Sequence, residues 1–178
     1  MRVPDSPPIG DFDLRALYEA LDSQRRARAL SWQEVARQVS RQSKGSARRG
    51  ISASTITSMR TRRVVEGDGV LQMLLWLQRT PESFVPGHPQ PDADTAELPR
   101  PEPDQVLRWN AHALHSALEA RRLERGQTWQ HVANEIGGCS PATLTRLSQG
   151  DRVSLPAVMR IVRWLDRPAA SFTRITSL

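Results

Sequence analysis

Residues 128–150 read Thr128-Trp-Gln-His-Val-Ala-Asn-Glu-Ile-Gly-Gly-Cys-Ser-Pro-Ala-Thr-Leu-Thr-Arg-Leu-Ser-Gln-Gly150. Thr128 is an N-cap residue: its hydroxyl can accept from the first unpaired N–H groups of a short helix beginning at Trp129. Gly137-Gly138-Cys139 interrupts that helix. Ser140 caps a second one, and Pro141 falls at the first helical position, where a missing N–H costs nothing. The stretch therefore predicts two short helices joined by a tight, glycine-containing turn.

Outside this stretch the chain repeats itself. Residues 12–39 align with 109–136 at an offset of 97, and ten of the 28 positions are identical, including Leu17/Leu114, Leu21/Leu118, Trp32/Trp129, Gln33/Gln130, Val35/Val132 and Ala36/Ala133. Residues 52–84 align with 140–172 at an offset of 88, again with ten identities, among them Ser52/Ser140, Thr55/Thr143, Thr57/Thr145, Trp76/Trp164, Leu77/Leu165 and Phe84/Phe172. The change of offset locates nine extra residues in the first copy, between Val39 and Ser52. A unit of this length present only twice means two small domains rather than a solenoid, which needs at least about three stacked repeats.

The first copy carries the same helical pattern. Leu14, Leu17, Tyr18 and Leu21 form one apolar stripe on a helix of about 12–28. Ser31 and Glu34 fit a capping box for a helix over 32–39 that buries Val35, Ala36 and Val39. Ser52 caps a third helix of about 53–61 with Ile56 and Met59 inside. A fourth, about 69–78, has Val70, Met73, Leu74 and Leu77 at helical spacing, matched by Val158, Ile161, Val162 and Leu165. A final turn near Pro81 or Pro168 returns Phe84 or Phe172 to the core. A helix, a short glycine turn and a second helix make the helix-turn-helix arrangement, and residues 128–150 resemble the Cro and lambda-repressor type of that motif, also called the xenobiotic-response-element type. The likeness spans about 150 of the 178 residues. It implies an all-α protein with two lambda-repressor-like domains of four to five helices each, and double-stranded DNA as the partner.

Composition agrees with that class. The net charge is +6, and 24 of the 25 basic residues are arginine, Lys44 being the exception. Residues 11–85 carry 13 basic and 8 acidic side chains, residues 103–178 carry 10 and 6, and the stretch between them carries 1 and 4. Two basic units on an acidic connector is the charge pattern of two polyanion-binding modules; plain solubility is the competing explanation. The organisation read from these features is helix-turn-helix domain 1 over 11–85 with a basic insertion at 40–51, a Pro-rich acidic linker over 86–103, and helix-turn-helix domain 2 over 104–178. With six prolines from Pro86 to Pro103 the linker reads as a semi-extended spacer able to reach about 50 Å.

A recognition helix must show polar groups to the groove while its other side is anchored in the core. In the first copy the positions opposite Ile56 and Met59 are Ser54, Thr57, Ser58 and Thr61, all hydroxyls. In the second they are Ala142, Thr145, Arg146 and Gln149. These eight are the candidate base-contacting residues, and Arg146 is the one equipped to bond both acceptors of a guanine edge; a merely solvated helix face is the alternative. Candidate phosphate contacts are Gln33, Arg41, Lys44, Arg48, Arg49, Arg60, Arg62, Arg63, Gln130 and Arg152, the insertion supplying four positive charges beside the third helix. The resembled family often has a glutamine at the first turn of helix 2. Here Trp32 and Trp129 stand there and read as packing residues, with Gln33 and Gln130 one position later.

Other chemistries find little support. His112, His115, His131 and Cys139 could be gathered as metal ligands, but their spacing is weak and the repeat does not preserve them, so no metal and no cofactor is assigned. No acid pair, triad or phosphate-binding glycine loop marks an enzyme. A single cysteine excludes an intrachain disulfide framework, and no long apolar run marks a membrane span. The sequence thus points to a cytoplasmic bacterial or phage transcriptional regulator, repressor-like, with two non-identical DNA-binding heads in one chain. The competing readings are a protein-interaction module, such as an antitoxin or phage-defence component with one degenerate head, and a non-specific nucleic-acid binder. A protein partner or a homodimer stays open.

Overall fold

Helix α1 (Leu14–Ala27) begins where Asp13 accepts the Ala16 N–H at 2.9 Å. The computed structural model describes residues 10–41, 50–61, 67–88 and 97–177. Along them follow α2 (Trp32–Arg41), α3 (Ala53–Ser58), α4 (Gly67–Leu77), a 3-10 turn at Pro81–Phe84, β1 (Gln105–Trp109), α5 (Ala111–Glu124), α6 (Trp129–Ile136), α7 (Pro141–Arg146), a 3-10 turn at Leu147–Gln149, α8 (Leu155–Leu165), a 3-10 turn at Ala169–Phe172, and β2 (Thr173–Ser177).

The molecule is mostly helical but not all-α. Strand β1 pairs antiparallel with β2, with Leu107 opposite Ile175 and Trp109 opposite Thr173. The expectation missed this sheet because each strand is only five residues long, and β1 follows directly on a proline-rich segment. The first copy holds a remnant of the same pairing: the Gly10 N–H donates to the Pro86 carbonyl at 2.8 Å, and Asp13 N–H to Phe84 O, as Asn110 N–H does to Phe172 O. Pro86 has no N–H to donate to such a ladder.

The helix caps fall where the side chains predict them. Ser31 and Glu34 close the capping box, the Ser31 N–H donating to the Glu34 carboxylate at 2.7 Å. That bond holds the Glu34 carboxyl below the usual range. Ser52, Thr128 and Ser140 each accept the N–H three residues on. Such caps are worth about 1 kcal/mol each.

The repeat extends into the side-chain interactions. In the first copy Arg25 bonds Asp22 and the Leu30 carbonyl and lies over the Trp32 ring; in the second Arg122 bonds Glu119 and the Gln127 carbonyl and lies over Trp129. Each tryptophan also stacks on a ring of the preceding helix, Tyr18 or His115. The Trp76 indole N–H donates to Gln38, and that of Trp164 to Glu135. All these pairs match at the offsets of 97 and 88. Trp76 is buried, whereas Trp164 is half-buried beneath Arg121 and Arg125.

Helix α4 departs most from its sequence pattern. Besides the apolar stripe of Val70, Met73, Leu74 and Leu77, and Trp76, which the sequence reads as core, its Leu71 and Gln72 are buried too. The additional face is covered because α4 packs on β1 and on α8. The buried hydrophobic residues consequently form one continuous cluster running from Phe12 to Phe172.

The reading of residues 86–103 as a spacer needs correction at its described C-terminal end: Leu98 is 5% exposed and joins that cluster. Residues 89–96 and most of the insertion at 40–51 lie outside the described residues. No helix among the described residues is long and apolar enough to cross a membrane.

Candidate nucleic-acid interface

The turn between α6 and α7 is built from backbone conformations that L side chains rarely adopt. Gly137 and Gly138 have φ of 73° and 67°. A Cβ on Gly138 would also run into the Arg160 guanidinium. Arg160 donates to the Gly137 carbonyl at 3.1 Å, holding the turn from the side of α8. Ser140 then starts α7, and burial of Leu144 and Leu147 presses one side of this segment onto the core.

The opposite side faces solvent. Ala142, Arg146 and Gln149 are exposed and Thr145 is half-buried, so the four expected base-reading positions of the second copy lie together. The continuous helix expected through Gln149 is shorter: α7 ends at Arg146, and Gln149 sits in the following 3-10 turn. Gly150, at φ 77°, closes that turn. The Thr145 hydroxyl donates to the Ala142 carbonyl at 3.1 Å, which leaves its oxygen free to accept. Arg146 is the long, charged side chain of the set.

In the first copy Ser54 and Thr61 are exposed and Thr57 and Ser58 half-buried, over the buried Ile56 and Met59. Here too the helix is shorter than expected: α3 ends at Ser58, and Thr61 lies beyond it. Three hydroxyls are turned back on the chain, Thr57 donating to Ser54 O, Ser58 to Thr55 O and Thr61 to Ser58 O. Ser54 shares a 2.8 Å hydrogen bond with Ser52. This face offers short acceptors rather than long donors.

Gln33, Arg41, Gln130 and Arg152 are exposed. Gln130 donates to Asn134 at 2.9 Å. Arg60 lies over the Tyr18 ring, its guanidinium carbon 5.9 Å from the ring centre. Lys44, Arg48, Arg49, Arg62 and Arg63 lie outside the described residues. Trp32 and Trp129 are packing residues, as read from the sequence; each lies between an arginine and a ring and is not turned wholly to solvent.

No family model, curated protein or solved structure matches this chain. Its reading rests on its own geometry.

Of the groups weighed for metal, His131 Nδ1 is hydrogen-bonded to Thr128 and His115 is stacked on Trp129. Among the described residues no three His, Cys, Asp or Glu side chains are gathered as a metal site. Burial pushes the Cys139 thiol above its ordinary value, which disfavours the thiolate needed of a nucleophile.

Sequence reasoning overlooked Arg160, Asp11, Gln72 and Glu82. Arg160 bonds Asp11, 149 residues away, with Nε 2.7 Å from the carboxylate. Gln72 donates to the Leu107 carbonyl at 2.9 Å, and Glu82 accepts from the Ala169 N–H at 2.6 Å. A signal existed: 72/160 and 82/170 are repeat-equivalent positions where the copies carry unlike side chains, Gln against Arg and Glu against Ala.

Proposed function

We propose that this chain binds double-stranded DNA sequence-specifically through two non-identical helix-turn-helix heads resembling the Cro and lambda-repressor type, and acts as a transcriptional regulator of the bacterial or phage kind. The observation that carries the reading is the set of exposed Ala142, Arg146 and Gln149 with the half-buried Thr145 between them. It lies on a short helix clamped from behind by Leu144 and Leu147 and from its entry by Ser140 and the Gly137-Gly138 turn. Arg146 would bond the O6 and N7 atoms of a guanine in the major groove, with Ala142 and the Thr145 methyl suited to a thymine methyl. Net positive charge in both halves supplies the phosphate attraction.

A random-sequence duplex selection at two salt concentrations tests this. Enrichment of a bipartite motif supports it, and binding with no motif would identify a non-specific binder instead. A second reading has its own support in the first copy, whose hydroxyl donors are spent on α3 and the turn after it. On that reading the first head holds a protein partner and only the second reads bases. A single short motif in the same selection favours it.

A further inference from the structure

The contacts joining the two copies follow a two-fold pattern. Helix α4 of the first copy reaches the strand preceding the first helix of the second, where Gln72 donates to Leu107 O. Helix α8 of the second copy reaches the matching segment of the first, where Arg163 donates to Gly10 O at 3.3 Å and Arg160 pairs with Asp11. Positions 72 and 160 are repeat-equivalent, and so are 10 and 107. The copies thus meet as the halves of an isologous dimer would, each offering the same surface to the other.

The side chains at these contacts suit unlike copies only. Across the junction Asp68 faces Arg108 at 3.5 Å and accepts the Trp109 N–H at 3.0 Å, while Arg160 faces Asp11. If two first copies met, Asp68 would face Asp11, because 11 is the counterpart of 108. If two second copies met, Arg160 would face Arg108. The buried Glu82 makes the same distinction. It accepts from Ala169 N–H, whose counterpart is Pro81, a residue with no N–H to give. A pair of first copies would therefore bury Glu82 with no donor. A pair of second copies would set Ala170 against that amide and leave it unpaired.

We propose that the two repeats dock on each other as a heterotypic pseudo-dimer whose side chains disfavour pairing of like copies, so that one chain, as a monomer, presents two heads at a set spacing. The spacing part rests on the DNA-binding reading; the docking part does not. Arg160 links the two, because the guanidinium that bonds Asp11 also holds the Gly137 carbonyl in the turn before α7.

The test uses the full chain and the variants Asp11→Arg, Arg160→Ala and the double variant Asp11→Arg with Glu82→Arg, each checked for unchanged helical content by circular dichroism. Sedimentation and small-angle scattering should report a monomer with a radius of gyration of about 16 Å, the value for a compact chain of this length. The double variant should be measurably larger, and Asp11→Arg and Arg160→Ala intermediate. A dimer at micromolar concentration, or a wild-type radius equal to that of the double variant, would overturn the docking.

With the motif from the selection, duplexes that vary the gap between half-sites by one to five base pairs should show at least a tenfold preference for one gap in the wild type, and a flattened series in the double variant. A flat wild-type series with a compact monomer overturns the spacing alone. If no duplex binds, the DNA reading fails while the scattering still decides the docking.

Discussion

The Glu82 carboxylate, 1% exposed, accepts a 2.6 Å hydrogen bond from the backbone N–H of Ala169, 87 residues further along the chain. Removing this acceptor strands the buried Ala169 N–H away from water. Glu82→Ala should therefore destabilise the protein by about 1–3 kcal/mol, read as a lower urea midpoint. Glu82→Gln keeps an acceptor at the site and should lose less. Equal losses for the two variants would assign the effect to packing rather than to the bond.

Gly138 combines a positive φ with close approach of the Arg160 guanidinium. Gly138→Ala should cost more than about 1 kcal/mol, because the new Cβ meets both backbone strain and a group that is itself held by Asp11. Gly126 has a φ of 61° and open space around it, so Gly126→Ala carries the strain alone and should cost less. Thermal melts of the two variants compare the terms directly.

The hydrogen bond from Arg160 holds the Asp11 carboxyl below the usual carboxylate range. A folded value depressed in this way gives stability that is present above the ordinary carboxylate value and lost as pH falls through the folded one. Contact between the copies at this point should thus be unaffected near neutrality and weaken only below about pH 4. Carboxyl-carbon NMR should find Asp11 titrating below the ordinary aspartate value, and Arg160→Ala should bring it up to that value. An Asp11 that titrates at the ordinary value in the wild type would exclude the ion pair in solution.

Arg146→Ala should relax sequence preference at one base position, at a cost of about 1–3 kcal/mol on the preferred site and little on others. Arg48→Ala combined with Arg49→Ala should weaken all duplexes alike and reduce the slope of log affinity against log salt by about 2. The same selection and salt titration, run on each variant, separates these roles. Loss of specificity from both would remove the division between base and phosphate contacts.

Local features could be read along the chain because each depends on neighbours within one helical turn. Ser31 with Glu34, Ser52 with Thr55 and Ser140 with Thr143 are three residues apart, so cap identity and spacing suffice to place the helix starts. The equivalence of Trp32 and Trp129 was legible from the repeat, although their sandwich between an arginine and a ring was not. The described candidate contacts lie on or beside the expected short helices, but Thr61 and Gln149 fall past the ends of α3 and α7. A face pattern does not show where a short helix stops.

What the sequence by itself determined was the doubling, the helical pattern, the caps and the identity of the polar faces on α3 and α7. Only the tertiary structure decided that β1 and β2 pair and that Leu98 enters the core. The same is true of the burial of Leu71 and Gln72 outside the α4 stripe, and of the meeting of Asp11 with Arg160 and Glu82 with Ala169. Periodicity reports which side of an element faces its own unit. It carries no term for a second unit packing on the other side, and a contact between residues 87 or 149 positions apart exists only once the chain has folded.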